Sequence, residues 1–186
     1  EYFDTGVGMT FDELNEKYLL IGRNRRAEID SRETEKGRKV IGKKGLGKLS
    51  VFGICDSIEV ISVKNGLKNH FKMDLADIRN SKGEYSPELI ISKNSVADSN
   101  EKGTKIFLKK IRRKSGFDLE SIAISLSKKF VIFDNMKVEL SINGGNNVLV
   151  SNELKFNSLN EQFRWSFPDK KYDDSYEHWN SVKGFI

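Results

Sequence analysis

Gly42-Lys43-Lys44-Gly45-Leu46-Gly47-Lys48-Leu49-Ser50 opens with three glycines and three lysines in seven residues. Glycine at this density lets the backbone take positive φ and approach a neighbour closely. The lysines add positive charge, and a helix starting here would turn free N–H groups toward an anion. These features point to a phosphate-binding turn; a solvated Gly/Lys loop is the plainer alternative. The spacing of Gly42, Gly47 and Lys48 nearly fits a Walker loop, which then needs Ser or Thr to hold magnesium. Leu49 stands there instead, with Ser50 one place late. An ordinary P-loop is therefore damaged, and another kind of nucleotide site has to be sought in the flanking chain.

Toward the N-terminus, residues 23–39 are almost wholly polar, with charges of both signs and no apolar period. A long polar segment bounded by glycines and joined to a phosphate turn has the character of a closing lid; a functionless surface insertion is the alternative. Before it, Thr10 and Glu13 form a capping box at the start of a helix. Leu14, Tyr18 and Ile21 share one face of that helix, and Gly22 ends it. Still earlier, Glu1-Tyr2-Phe3 has the look of a strand end, and Asp4-Thr5-Gly6-Val7-Gly8-Met9 makes a sharp turn. Asp4 has two plausible tasks there. It can close an Asx turn on its own backbone, or its carboxylate can accept from an amino group such as that of adenine.

Toward the C-terminus, Lys48 to Ile54 continues as a short helix. Ser57–Val63 alternates and is rich in β-formers, so it predicts a strand. Asn65-Gly66 is a hairpin turn, and 67–75 is the returning strand. Residues 79–87 are a loop, 89–92 a short strand. Gly103-Thr104-Lys105-Ile106-Phe107-Leu108 is a strand entered from a glycine, with Thr104 at its mouth. Residues 117–133 form the clearest amphipathic helix, with Leu119, Ile122, Leu126, Phe130 and Phe133 at spacings of three and four. Val138–Ile142 and Val148–Val150 are strands either side of an Asn-Gly-Gly turn. The tail from Ser151 lacks a clear period and is expected to lead into a second domain.

Composition narrows the classes. The chain has 186 residues, twelve of them Phe, with 37% hydrophobic and 32% charged residues and a formal charge of +5. That supports a packed core and excludes a disordered chain. The basic clusters (Arg23, Arg25 and Arg26; Lys43, Lys44 and Lys48; 109–114) can meet nucleic acid or neutralise one small polyanion. One cysteine, Cys55, permits no internal disulfide and fits an intracellular, cytoplasmic location. His70 and His178 lack ligand-like neighbours, so no metal site is assigned. No apolar run approaches membrane-spanning length, and no membrane contact is expected.

With the elements in place, three blocks in order resemble an ATPase family: the one shared by Hsp90 chaperones, DNA gyrase B subunits, MutL repair proteins, histidine kinases and MORC proteins, the GHKL group. Asp4 to Met9 is similar to the family's DxGxGM block, Gly42 to Gly47 to its GxxGxG block, and Gly103-Thr104 to its last nucleotide motif. The resemblance covers about residues 1–143. It implies an α/β fold, a two-layer sandwich whose mixed β-sheet is covered by helices on one face, the Bergerat-type ATP-binding fold. Residues 1–150 would be the ATP-binding domain with a lid over 10–41, and 151–186 a linker and the start of a second domain.

The resemblance also implies the site. Asp4 would take the adenine amino group, partly through water. Gly6 and Gly8 would let the backbone approach the base, and Met9 would pack on it. Gly42, Lys43, Lys44, Gly45, Leu46, Gly47, Lys48 and Leu49 would wrap the phosphates, and Thr104 would join the water network at adenine. The family's catalytic Glu and magnesium-holding Asn lie on an N-terminal helix. No such helix precedes Asp4 here, so the domain is expected to be N-terminally truncated. No catalytic residue or metal ligand is assigned, and magnesium is expected only together with that helix. The implied function is ATP and ADP binding, with hydrolysis in the intact protein driving lid and domain motion. A non-hydrolysing, ATP-switched regulatory or nucleic-acid-binding module is the alternative. Homodimerisation of the full-length protein and weak DNA or RNA contact are the further partner expectations.

Overall fold

Asn65 and Gly66 both take positive φ, 53° and 74°, the two-residue turn whose twist matches that of an antiparallel pair. It joins β2 (Cys55–Lys64) to β3 (Leu67–Asp74), in register from Lys64 opposite Leu67 to Ser57 opposite Asp74. A computed structural model describes residues 1–20, 46–83, 85–130 and 136–157, and places this hairpin inside a six-stranded sheet. The other strands are β1 (Tyr2–Asp4), β4 (Glu88–Leu89), β5 (Ser95–Val96) and β6 (Gly103–Ile111). The order is β1-β6-β2-β3-β4, and β5 also pairs with β3.

The resemblance implied a mixed sheet. Among the described residues every pairing in this sheet is antiparallel instead. A two-residue turn allows β2 and β3 no other arrangement, whereas parallel neighbours need a long crossover.

Residues opposite one another in register share a face, and side chains alternate along each strand. Ile58 and Val60 of β2 therefore lie with Met73 and Phe71 of β3 and with Leu108 and Ile106 of β6. Leu14, Phe52, Cys55, Ile58, Val60, Phe71 and Met73 form the buried cluster. Leu14 comes from the segment after α1 (Phe11–Glu13), which widens into a π turn over Leu14–Tyr18. Phe52 comes from a 3-10 turn, Val51–Gly53, that continues α2 (Gly47–Ser50). Leu75 and Ile78 of α3 (Leu75–Asn80) pack on the same cluster. The sheet's other side carries Glu59, His70 and Lys109, with His70 Nε2 and Lys109 Nζ each 3.7 Å from a Glu59 oxygen.

By packing, the chain divides into Glu1–Lys114 and Ser115–Ile186. The second unit contains α4 (Leu119–Lys129), capped by Asp118, whose carboxylate accepts from the Glu120 and Ser121 N–H groups. It also contains the pair β7 (Glu139–Leu140) and β8 (Val148–Leu149) and a 3-10 turn at Asn152–Phe156. Among its described residues Ala123, Ser127 and Val150 are buried. No described helix is long and apolar enough to cross a membrane.

Candidate functional site

At the end of β1 the carboxylate of Asp4 closes an Asx turn: the Gly6 N–H donates to Oδ1 at 2.8 Å. The first of the two tasks weighed for Asp4 is thus met with one oxygen. Oδ2 makes no hydrogen bond among the described residues. The turn then passes tightly against the sheet. Gly8 has φ +69°, and a Cβ there would stand 2.0 Å from the Val63 carbonyl oxygen. Gly103 has φ +83°, and its Cβ would stand 2.1 Å from the Asp4 carbonyl oxygen. Only glycine fits either place. The Met9 N–H donates to Ser62 Oγ at 2.7 Å, and Met9 packs against the core cluster.

The capping box is formed as the sequence predicts. The Glu13 N–H donates to Thr10 Oγ1 at 3.2 Å, and the Thr10 N–H to Glu13 Oε2 at 2.9 Å. Lys64 Nζ reaches both Glu13 oxygens at 3.1 Å. Burial pushes the Glu13 carboxyl up, but the Thr10 N–H and Lys64 draw it down further, and it lies below its ordinary value.

Register sets the floor of the site. Asp4 of β1 faces Thr104 of β6, Thr104 faces Ser62 of β2, and Ser62 faces Asn69 of β3. These four polar residues form one row across four adjacent strands, on the face that carries the helices. The next row inward is Ile106, Val60 and Phe71. Ser62, Asn69 and Thr104 are buried. Asn69 spends its amide on Asn94, donating to Asn94 Oδ1 at 3.2 Å and accepting the Asn94 N–H at 2.9 Å.

Asp4, Gly6, Gly8, Met9 and Thr104 are therefore brought together. Gly42, Lys43, Lys44 and Gly45 lie outside the described residues, as does most of the expected lid. Leu46, exposed, is the N-cap of α2, and Gly47 is its first residue. Lys48 Nζ donates to the Leu20 carbonyl at 2.8 Å and lies 5.5 Å above the Tyr18 ring; burial pulls its ammonium down from its ordinary value. The Leu49 N–H is used on the Leu46 carbonyl at 3.0 Å, and its side chain packs on the core.

The donor set fits a nucleotide base. Asp4 stands opposite the strand-end Thr104, Met9 closes the same turn, and at Gly8 and Gly103 no Cβ stands in the way. Among the described residues no three His, Cys, Asp or Glu side chains gather at one point.

Residues 2–104, more than half of the chain, match the family of histidine kinase-, DNA gyrase B- and HSP90-like ATPases. The chain belongs to that family. This GHKL domain is also 35% identical over 166 residues to the putative type II restriction enzyme HgiDII of Herpetosiphon aurantiacus, covering 87% of this chain and 26% of the relative. It is 32% identical over 111 residues to the chaperone protein HtpG of Rhizobium meliloti (strain 1021), covering 56% of this chain and 16% of that one. The chain thus spans about a quarter or less of these curated relatives. As a GHKL domain it is of the ATP-binding kind, and its α/β build with helices on the sheet suits that family.

Three features of the GHKL domain escaped the sequence reading: Ser62, Asn69 and the Lys64–Glu13 pair. A signal existed for the first two. In the alternating runs Ile58-Val60-Ser62 and Asn69-Phe71-Met73, a polar residue stands in the buried phase of a strand.

Proposed function

We propose that the domain binds ATP and ADP with the base at the Asp4 turn. The observation that carries this is the Asp4 carboxylate, which uses one oxygen to shape its own turn on a residue that stands opposite Thr104 in the polar row. Asp4 accepts the adenine amino group, directly and through water. Gly6 and Gly8 let the backbone near the base, Met9 packs on it, and Thr104 holds the surrounding water. Residues Gly42 to Leu49 take the phosphates through their backbone, with Lys43, Lys44 and Lys48 as charge partners. Lys48 would have to leave the Leu20 carbonyl to do so, which its flexible stem permits.

In the intact protein this domain hydrolyses ATP: water attacks the γ-phosphorus, the bond to the bridging oxygen breaks, and ADP and phosphate leave. Residues 10–41 close as a lid over the nucleotide. Residues 1–150 make the nucleotide domain, 151–186 lead into the next, and the full-length protein works as a cytoplasmic homodimer. The fold proposed for the nucleotide domain is a two-layer sandwich. The test is calorimetric titration of ADP into the intact protein. Asp4→Asn is expected to weaken binding about tenfold, since a charge-assisted bond is lost, while the unfolding temperature stays within a few degrees. Equal affinity in wild type and variant removes Asp4 from the site; no heat from folded wild type removes the nucleotide.

A second reading has its own support. The relative covering 87% of this chain is a putative restriction enzyme, a protein class that acts on DNA, and this chain is basic, with a formal charge of +5. In that reading the domain is an ATP-operated switch beside nucleic acid and turns over no nucleotide. Phosphate release by the intact protein separates the two.

A further inference from the structure

Three consecutive residues at the end of β2 hold the chain just after the glycine turn. The Ser62 hydroxyl accepts the Met9 N–H. The Val63 carbonyl lies where a side chain on Gly8 would be. Lys64 grips the Glu13 carboxylate, which is also the group that caps α1 by taking the Thr10 N–H. Ser62 and Lys64 are two apart on a strand and so project to the same side. All three contacts are tertiary, and none depends on a neighbour in sequence.

Ser62 is 0% exposed. No ligand reaches its hydroxyl directly, so its effect on a ligand passes through Met9. A buried N–H with no acceptor carries its full desolvation cost; without Ser62 the Met9 amide must turn elsewhere and take the turn with it. Lys64 acts at the other end of the same stretch, where Glu13 fixes the direction in which α1 leaves.

We propose that Ser62 and Lys64 are positioning residues for the nucleotide, a two-point clamp from β2 on Met9–Glu13 that sets where the Asp4–Met9 turn presents its groups to the base. This rests on the nucleotide reading given above. The clamp explains why a serine follows Ile58 and Val60 in the buried phase of β2. It also makes Ser62 differ in kind from Ser57, a second buried serine of the same strand, on its opposite face, whose Oγ has no partner among the described residues.

The experiment is ADP titration of the intact protein, with thermal unfolding followed in parallel. Ser62→Ala is expected to weaken ADP binding about tenfold and to speed hydrogen exchange at the Met9 amide. Ser62→Thr, which keeps the hydroxyl, restores both. Ser57→Ala leaves ADP affinity unchanged. Should Ser62→Ala fail to fold, Lys64→Met carries the test, with weaker ADP binding at unchanged circular dichroism expected. Unchanged affinity in the folded Ser62→Ala or Lys64→Met protein overturns the clamp, and so does an equal loss in Ser57→Ala. Absence of ADP binding by folded wild type instead overturns the nucleotide reading, and the clamp's purpose with it.

Discussion

Gly8 shows how one residue can be fixed by two constraints at once. Its φ of +69° is strained for any side chain, and the space a Cβ would need is held by the Val63 carbonyl. Gly8→Ala therefore has to shift a strand, not merely bend a turn. A loss of at least about 2 kcal/mol is expected from backbone strain and displaced packing together, read as a lower midpoint in urea. Gly53→Ala is the control, because nothing lies within 4 Å of its added Cβ; a Gly8→Ala midpoint equal to that of Gly53→Ala contradicts the account. The glycines and Asp4 were legible in the sequence because their chemistry is local. Ser62 was harder to find, since a serine in a strand draws meaning only from what stands across from it, here Met9 and Thr104.

At the scale of elements, α1 depends on its cap. Glu13 serves Thr10 and Lys64 together, and its carboxyl sits below the ordinary value of 4.5. A carboxyl lowered by folding adds stability that is complete above the unfolded value and is lost as pH falls through the folded one. Glu13→Gln should therefore melt below wild type near neutral pH, and the gap should narrow as pH falls below 4.5; a gap constant down to pH ~3 would contradict the assignment, since the carboxyl of the unfolded chain is by then largely protonated. The start of α1 was legible because Thr10 marks it, whereas α4 was expected from 117 and begins at Leu119, behind the Asp118 cap. α3 was missed: its Asp74 makes no capping bond, and six residues, with only Leu75 and Ile78 facing the core, show too little period. The hairpin was legible because Asn65-Gly66 states its own geometry. The pairing of β1 with β6 joins segments about a hundred residues apart, and no local pattern announces it.

Across the whole molecule, the basic balance bears on the choice between an ATPase and an ATP-operated switch on nucleic acid. A sequence pI of about 9.1 supports attraction to DNA, but many of its lysines are already engaged, as Lys68 is with Glu101 and Lys72 with Asp74. If the second reading holds, duplex DNA should be retained on a filter at low salt and released steeply as salt rises. No retention at low salt rejects it. The polar row of Asp4, Thr104, Ser62 and Asn69 has one more consequence. It exists at a single alignment of four strands, and a slip of one residue in β6 would swing Thr104 to the far side and bring Lys105 or Gly103 into its place. A compound that binds at the Asp4 end of the row would then favour only correctly aligned chains. Nucleotide present during refolding would act as a proofreader of the sheet, raising the yield of aligned protein rather than only stabilising what had already formed.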